Sequence, residues 1–126
     1  MGLDVVGGVI ERNKRLYSRE RVLFQLMPQD LALAPGGDLL VLKDVLQHLP
    51  NEVIEEYIRV LCPRFKACLI TNSYEKLQTP KNVDILPGQF RCLDLREAPY
   101  FVRGFYVFEY WTSAWERIRT LLYTAS

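Results

Sequence analysis

The stretch that most constrains the fold lies at residues 36–61 and reads GGDLLVLKDVLQHLPNEVIEEYIRVL. Residues 38–43 are almost continuously apolar, which is typical of a strand covered on both faces by helices. A helix follows, because Asn51 after Pro50 suits an N-cap and Glu52 places negative charge in the first turn. Its apolar stripe comprises Val53, Ile54, Tyr57, Ile58 and Leu61. The stretch therefore predicts a strand, a short polar corner and a helix that ends at Cys62-Pro63.

Further strands and one more helix are indicated by the same kind of pattern. A helix is predicted within residues 9–17, after the break at Gly7-Gly8. The other strand candidates are residues 3–6, 21–27, 66–73, 104–111 and 119–124. The last two strands are predicted to pair as an antiparallel hairpin, and residues 74–102 to form an ordered surface excursion. The chain is thus predicted to be one α/β domain, residues 1–126, with a mostly parallel sheet and helices on both faces.

Charge and hydropathy narrow the class of function. The chain has 126 residues, and 16 Lys and Arg against 15 Asp and Glu give a net charge of +1. A nucleic-acid binder carries a clustered basic excess, so nucleic acid is an unlikely partner. No apolar run approaches the ~20 residues of a membrane span, and the start of the chain does not resemble a signal peptide. The sequence predicts a cytoplasmic protein without a membrane partner.

The cysteines do not indicate a metal site. Cys62, Cys68 and Cys92 form no CxxC pair, and His48 is the only histidine in the chain. Structural zinc sites combine four ligands at short paired spacings, which this set does not provide. Buried, reduced thiols are the expected state.

Polar residues collect where the predicted strands end. In open α/β sheets, ligands bind at the carboxyl ends of the strands, which directs attention to Asp4, Asp30 and residues 43–48. Two interpretations of His48 stay open: its ring satisfies a local backbone group, or it acts as a general base that Asp44 orients.

Three stretches together resemble the class I S-adenosylmethionine-dependent methyltransferases. They are GLDVVGGVIERNKRLY, GGDLLVLKDVLQHLPNEVIEEYIRVL and NVDILPGQFRCLDLREAPY, in the family's order and across nearly the whole chain. The resemblance implies a truncated Rossmann-like methyltransferase sheet, with S-adenosylmethionine as cofactor. It also implies a methyl acceptor that is a small molecule or a protein.

The resemblance assigns roles to particular residues. Asp4 would accept hydrogen bonds from the cofactor ribose and Asp30 would lie near the adenine, while Lys43 completes the cofactor-binding set. His48 and Asp44 would be the catalytic pair. Gln47 would line the substrate side beneath residues 85–99. The loop arginines Arg91 and Arg96 suit an anionic acceptor, although a solvated loop face is the alternative.

One part of the family's pattern is missing ahead of Asp4. The family's first strand and its Gly-rich turn should precede that aspartate, and the first strand lies between the second and the fourth. Its loss predicts an unpaired gap in the sheet. The chain would then be a truncated product, a half-enzyme completed by another chain, or a remnant that self-associates, most simply as a homodimer. A non-catalytic interaction module is therefore the alternative to a methyltransferase.

Overall fold

The structure is a computed structural model that describes residues 1–125. The chain divides into two compact units, Met1–Ala34 and Pro35–Ser126. None of the helices within residues 1–125 combines the length and the apolar character needed to cross a membrane.

The first unit is a small β-α-β element. Strands β1 (Gly2–Asp4) and β2 (Phe24–Leu26) pair in parallel, and helix α1 (Gly7–Tyr17) connects them. Both strands are shorter than predicted. Strand β1 ends at Asp4 because the Asp4 carboxylate accepts a hydrogen bond from the Val6 amide at 2.8 Å, which turns the chain into α1.

The second unit contains a four-stranded sheet in the order β3-β4-β6-β5. Its strands are β3 (Gly37–Lys43), β4 (Phe65–Lys76), β5 (Phe105–Trp111) and β6 (Glu116–Thr124). Strands β3 and β4 are parallel, whereas β6 runs antiparallel to both β4 and β5. The antiparallel hairpin is confirmed. The prediction of a mostly parallel sheet is wrong, because β6 inserts between β4 and β5 and makes the sheet mixed.

The helix after β3 begins as the sequence indicates but is capped differently. Helix α2 (Asn51–Glu56) continues through a wider turn at Tyr57–Leu61 and ends in a tight turn at Cys62–Arg64. Pro50 is the N-cap residue and makes no side-chain capping hydrogen bond, but the Asn51 amide donates to the Asp84 carboxylate at 2.9 Å. The prediction of Asn51 as N-cap is wrong because its side-chain oxygen accepts hydrogen bonds from Arg91 and Tyr100 instead.

The two faces of the four-stranded sheet differ in burial. On the inner face, Leu40, Leu42, Cys68, Ile70 and Leu121 are buried. The outer face is defined by a row of paired apolar residues that crosses all four strands: Val41, Leu69, Leu122 and Phe105. Within this row Val41 is 61% exposed and Phe105 is 73% exposed. The expectation that β3 is covered on both faces is therefore wrong: β3 is buried on its inner face only.

Candidate functional site

The β3 corner, residues 43–48, brings two charged side chains together at the carboxyl end of β3. Lys43 Nζ lies 2.5 Å from Asp44 Oδ2. This hydrogen bond and the negative charge of Asp44 raise the pKa of Lys43. The Asp44 backbone has φ 57°, in the left-handed region, and its amide donates to the Thr71 carbonyl of β4. Aspartate tolerates this conformation better than most residues, so the chain turns sharply out of the sheet at this point.

His48 is held by the loop between β4 and β5 and not by Asp44. Its Nδ1 lies 3.1 Å from the Gln89 carbonyl oxygen, which can only accept, so Nδ1 carries the proton. In neutral His48, Nε2 is therefore the basic nitrogen, and it lies 3.5 Å from the Gln47 side-chain nitrogen. The predicted pairing of His48 with Asp44 is not what the structure has: the Asp44 carboxylate bonds the Lys43 ammonium, and His48 Nδ1 bonds the Gln89 carbonyl. The orienting group for His48 is a backbone carbonyl from 41 residues further along the chain.

Gln47 performs a structural task in this corner. Its side chain is buried, and its Oε1 accepts a hydrogen bond from the Ser73 amide of β4 at 2.7 Å. Its backbone carbonyl accepts from the Arg91 amide. The predicted substrate contact by Gln47 is not supported by this position, because both oxygens face the protein interior.

Arg91 lies at the centre of the long loop and is fully buried. Its Nε donates to the Val83 carbonyl and its Nη1 to the Leu46 carbonyl. Its Nη2 donates to Asn51 Oδ1 at 2.7 Å and to the Tyr100 hydroxyl at 3.2 Å. A guanidinium has five N–H groups, and four of them are used here, so at most one remains to bind a ligand. Arg91 therefore ties the loop to α2 and to the β3 corner, which corrects its predicted role in substrate binding.

Arg96 is exposed, in contrast to Arg91. Its backbone amide donates to Asp94 Oδ1 at 3.1 Å, which fixes the chain at this position. The predicted contact of its guanidinium with an anionic acceptor stays a prediction.

Three residues that sequence reasoning missed hold the loop in place. Asn82 has φ 59° and bonds three backbone groups, namely the amide and carbonyl of Asp94 and the Ala98 carbonyl. The Asp94 carboxylate accepts from the Tyr106 hydroxyl at 2.6 Å, and burial together with this bond raises the pKa of Tyr106. The only signal in the sequence is the turn propensity of asparagine at position 82.

Asp4 and Asp30 both lie in the first unit, where each caps a local turn. Asp4 Oδ1 accepts from the Val6 amide at 2.8 Å, and Asp30 Oδ1 accepts from the Ala32 amide at 2.9 Å. Asp30 is exposed and Asp4 is half-buried. An ionised carboxylate can accept several hydrogen bonds, so these local bonds leave both residues able to accept from ligand hydroxyl or amino groups.

The cysteines are buried and free. Burial raises the pKa of the Cys92 thiol. Among the described residues, no group of three or more His, Cys, Asp or Glu side chains is arranged to hold a metal ion.

Comparison with known proteins shows a likeness to solved structures. No protein-family model matches the chain, and no curated protein matches it. Among solved structures, the chain is similar to TehB from Haemophilus influenzae, with a TM-score of 0.58 and 14% sequence identity. The alignment covers 98% of this chain and 49% of that chain, so this chain spans about half the length of TehB. At this identity the likeness shows a shared fold and nothing more.

Proposed function

We propose that the chain is an S-adenosylmethionine-dependent methyltransferase-like protein whose β3 corner lies at the reacting end. The observation that carries the proposal is the likeness of the fold to TehB, which extends over 98% of this chain. Within the second unit, the parallel pair β3 and β4 places the polar β3 corner at the carboxyl end of its strands, which is where open α/β sheets bind ligands.

Two carboxylates of the first unit would hold the cofactor. Asp4 offers a half-buried carboxylate for the ribose hydroxyls, and Asp30 offers an exposed carboxylate for the adenine amine. S-adenosylmethionine would supply the methyl group. Within this chain, the Lys43–Asp44 ion pair would bind at the methionine end, and His48 Nε2 would accept a proton from the methyl acceptor where the acceptor needs deprotonation. The acceptor class is a small molecule or a protein, since the net charge of +1 disfavours nucleic acid.

The test is a calorimetric titration of the folded protein with S-adenosylhomocysteine. We expect saturable binding, and we expect Asp4→Asn to weaken it about tenfold, because an amide replaces a charged acceptor of ribose hydrogen bonds. Asp38→Asn is the matched control: Asp38 is exposed and pairs with Lys66, so the same substitution should leave binding unchanged. Absence of binding at millimolar ligand, or an equal loss in both variants, would contradict the proposal.

A second candidate function is a non-catalytic module that assembles with another polypeptide, most simply a second copy. The observations that favour it are the exposed apolar row on the outer face and the edge of β3 that has no neighbouring strand within residues 1–125. Exposed apolar patches of several hundred Å² mark interaction surfaces, and an unpaired strand edge offers backbone donors and acceptors to another strand. A homodimer needs no further component, whereas a half-enzyme would need a complementing chain.

Light scattering coupled to size-exclusion chromatography tests this candidate. We expect a mass of about twice 14.7 kDa for the wild type. Val41→Lys should shift the protein to monomer, because it places a charge in the apolar row at its β3 end, beside the strand edge. Leu86→Lys is the control, since Leu86 is exposed in the loop between β4 and β5 and is not part of the paired row. A wild-type monomer at all concentrations would exclude the homodimer, and a dimer that fails to bind S-adenosylhomocysteine would favour the non-catalytic module.

A further inference from the structure

A cleft with both tryptophans of the chain in its walls lies at the carboxyl end of β4. We call it the Trp cleft. It has a volume of about 590 Å³, within the range of small-molecule sites. Its lining residues are Glu75, Lys76, Leu77, Gln78, Thr79, Lys81, Trp111 and Trp115. All of them belong to the second unit, and none belongs to the β3 corner or to the proposed cofactor residues.

The two indole rings are unusually open to solvent. Trp111 is 56% exposed and Trp115 is 79% exposed. Tryptophan is among the residues that most often form the centre of binding surfaces, because its large flat ring gains most from being covered. Two exposed rings in one cleft therefore form a stacking surface for a flat apolar ligand.

The backbone holds two of the lining residues in a costly conformation. Trp115 has φ 54° and Gln78 has φ 58°, both in the left-handed region that bulky residues rarely adopt. A hydrogen bond from the Trp115 amide to the Thr112 carbonyl fixes the turn that presents the ring. Outliers of this kind cluster at ligand clamps, where the surrounding structure maintains them.

The charge of the cleft is positive. Lys76 and Lys81 have no carboxylate within 4.0 Å in the part of the chain that the structure describes. Lys81 Nζ lies 3.7 Å from the centre of the Tyr74 ring, which positions it. The acidic lining residue, Glu75, is neutralised by Arg117 at 2.7 Å, and this guanidinium also lies over the Trp111 ring at 5.5 Å.

We propose that the Trp cleft binds a small planar aromatic anion. The indole rings would stack on the ring of the ligand, and the ammonium groups of Lys76 and Lys81 would pair with its carboxylate or other anionic group. A purely apolar ligand would leave the two lysines unused, and a non-aromatic anion would leave the tryptophans exposed. The inference is independent of methyl transfer, because it uses none of the residues assigned to the cofactor or to the reacting end.

The experiment is an NMR titration with 2-naphthoate, without any cofactor ligand present. The chain has two tryptophans, so Trp111→Phe and Trp115→Phe assign the two indole N–H signals. We expect both signals of the wild type to shift saturably, with a dissociation constant on the order of 1 mM or lower. The neutral 2-naphthamide and the non-aromatic cyclohexanecarboxylate should each bind about tenfold more weakly.

Lysine variants distinguish ion pairing from non-specific apolar binding. The double variant Lys76→Gln/Lys81→Gln should weaken 2-naphthoate about tenfold and leave 2-naphthamide unchanged. Lys66→Gln is the control, because Lys66 is exposed, pairs with Asp38 and lies outside the cleft. Backbone amide spectra report whether each variant is folded. Equal binding of the acid and the amide, or indole signals that do not move, would overturn the proposal. Tighter binding of a short oligothymidylate would overturn it too, by assigning the cleft to nucleic acid.

Discussion

Replacing Arg91 with methionine is expected to lower the free energy of unfolding by about 3 kcal/mol. The substitution removes four hydrogen bonds at once, to two backbone carbonyls, to Asn51 and to Tyr100. Each buried acceptor left without a donor costs roughly 1–3 kcal/mol. The substitution also removes the buried charge of Arg91, whose desolvation is unfavourable, and this offsets part of the loss. Urea denaturation followed by circular dichroism measures the change.

Arg96→Met is the matched control for this prediction. Arg96 lies five positions later in the same loop, and its side chain is exposed. The same chemical change should therefore alter the free energy of unfolding by less than about 0.5 kcal/mol. Equal effects of the two substitutions would show that Arg91 does not hold the loop to α2 and the β3 corner.

Replacing Leu121 with alanine is expected to lower the free energy of unfolding by about 3 kcal/mol. Leu121 lies on the inner face of β6, is 1% exposed, and pairs in register with Ile70 on one side and Tyr106 on the other. Truncation would remove buried apolar surface and leave a cavity. The strands cannot move to fill it, because β6 is hydrogen-bonded to β4 on one side and to β5 on the other. The midpoint of urea denaturation should fall while its slope stays constant.

Leu86→Ala provides the comparison for Leu121→Ala. Leu86 is exposed in the loop, so the same truncation should change stability by less than about 0.5 kcal/mol. A loss at Leu121 no larger than that at Leu86 would mean that the inner face of β6 does not contribute to the core.

Local patterns predicted the elements well and the long-range contacts poorly. The strand at residues 38–43 and the antiparallel pairing of the last two strands follow from apolar runs and a connecting turn, which are local properties. The side chains of Asn51 and Arg91 meet only after the loop has folded back over the β3 corner. Donor and acceptor are 40 residues apart for the Arg91–Asn51 bond. Residue type and spacing do not reveal such pairs.

The candidate site shows the same limit. The polar composition of the β3 corner predicted a cluster, and Lys43 and Asp44 do lie together. The partner of His48 was not predictable, because it is the backbone carbonyl of Gln89 and every residue has a carbonyl. Burial of Arg91 was equally hidden, since arginine is among the residues least often found inside a protein.

The position of β6 in the sheet has a consequence for how the chain is made. The ribosome delivers β3 and β4 first, and these two can pair as soon as the helical connection between them has formed. The second neighbour of β4 in the sheet is β6, which begins at Glu116. It is therefore translated some forty residues after β4 ends at Lys76. Until then the nascent chain displays the full backbone edge of β4, the longest strand of the sheet. Unpaired edges of this kind are where chaperones act and where misfolding begins, so this protein is vulnerable during synthesis at a strand that is fully enclosed once β6 is in place.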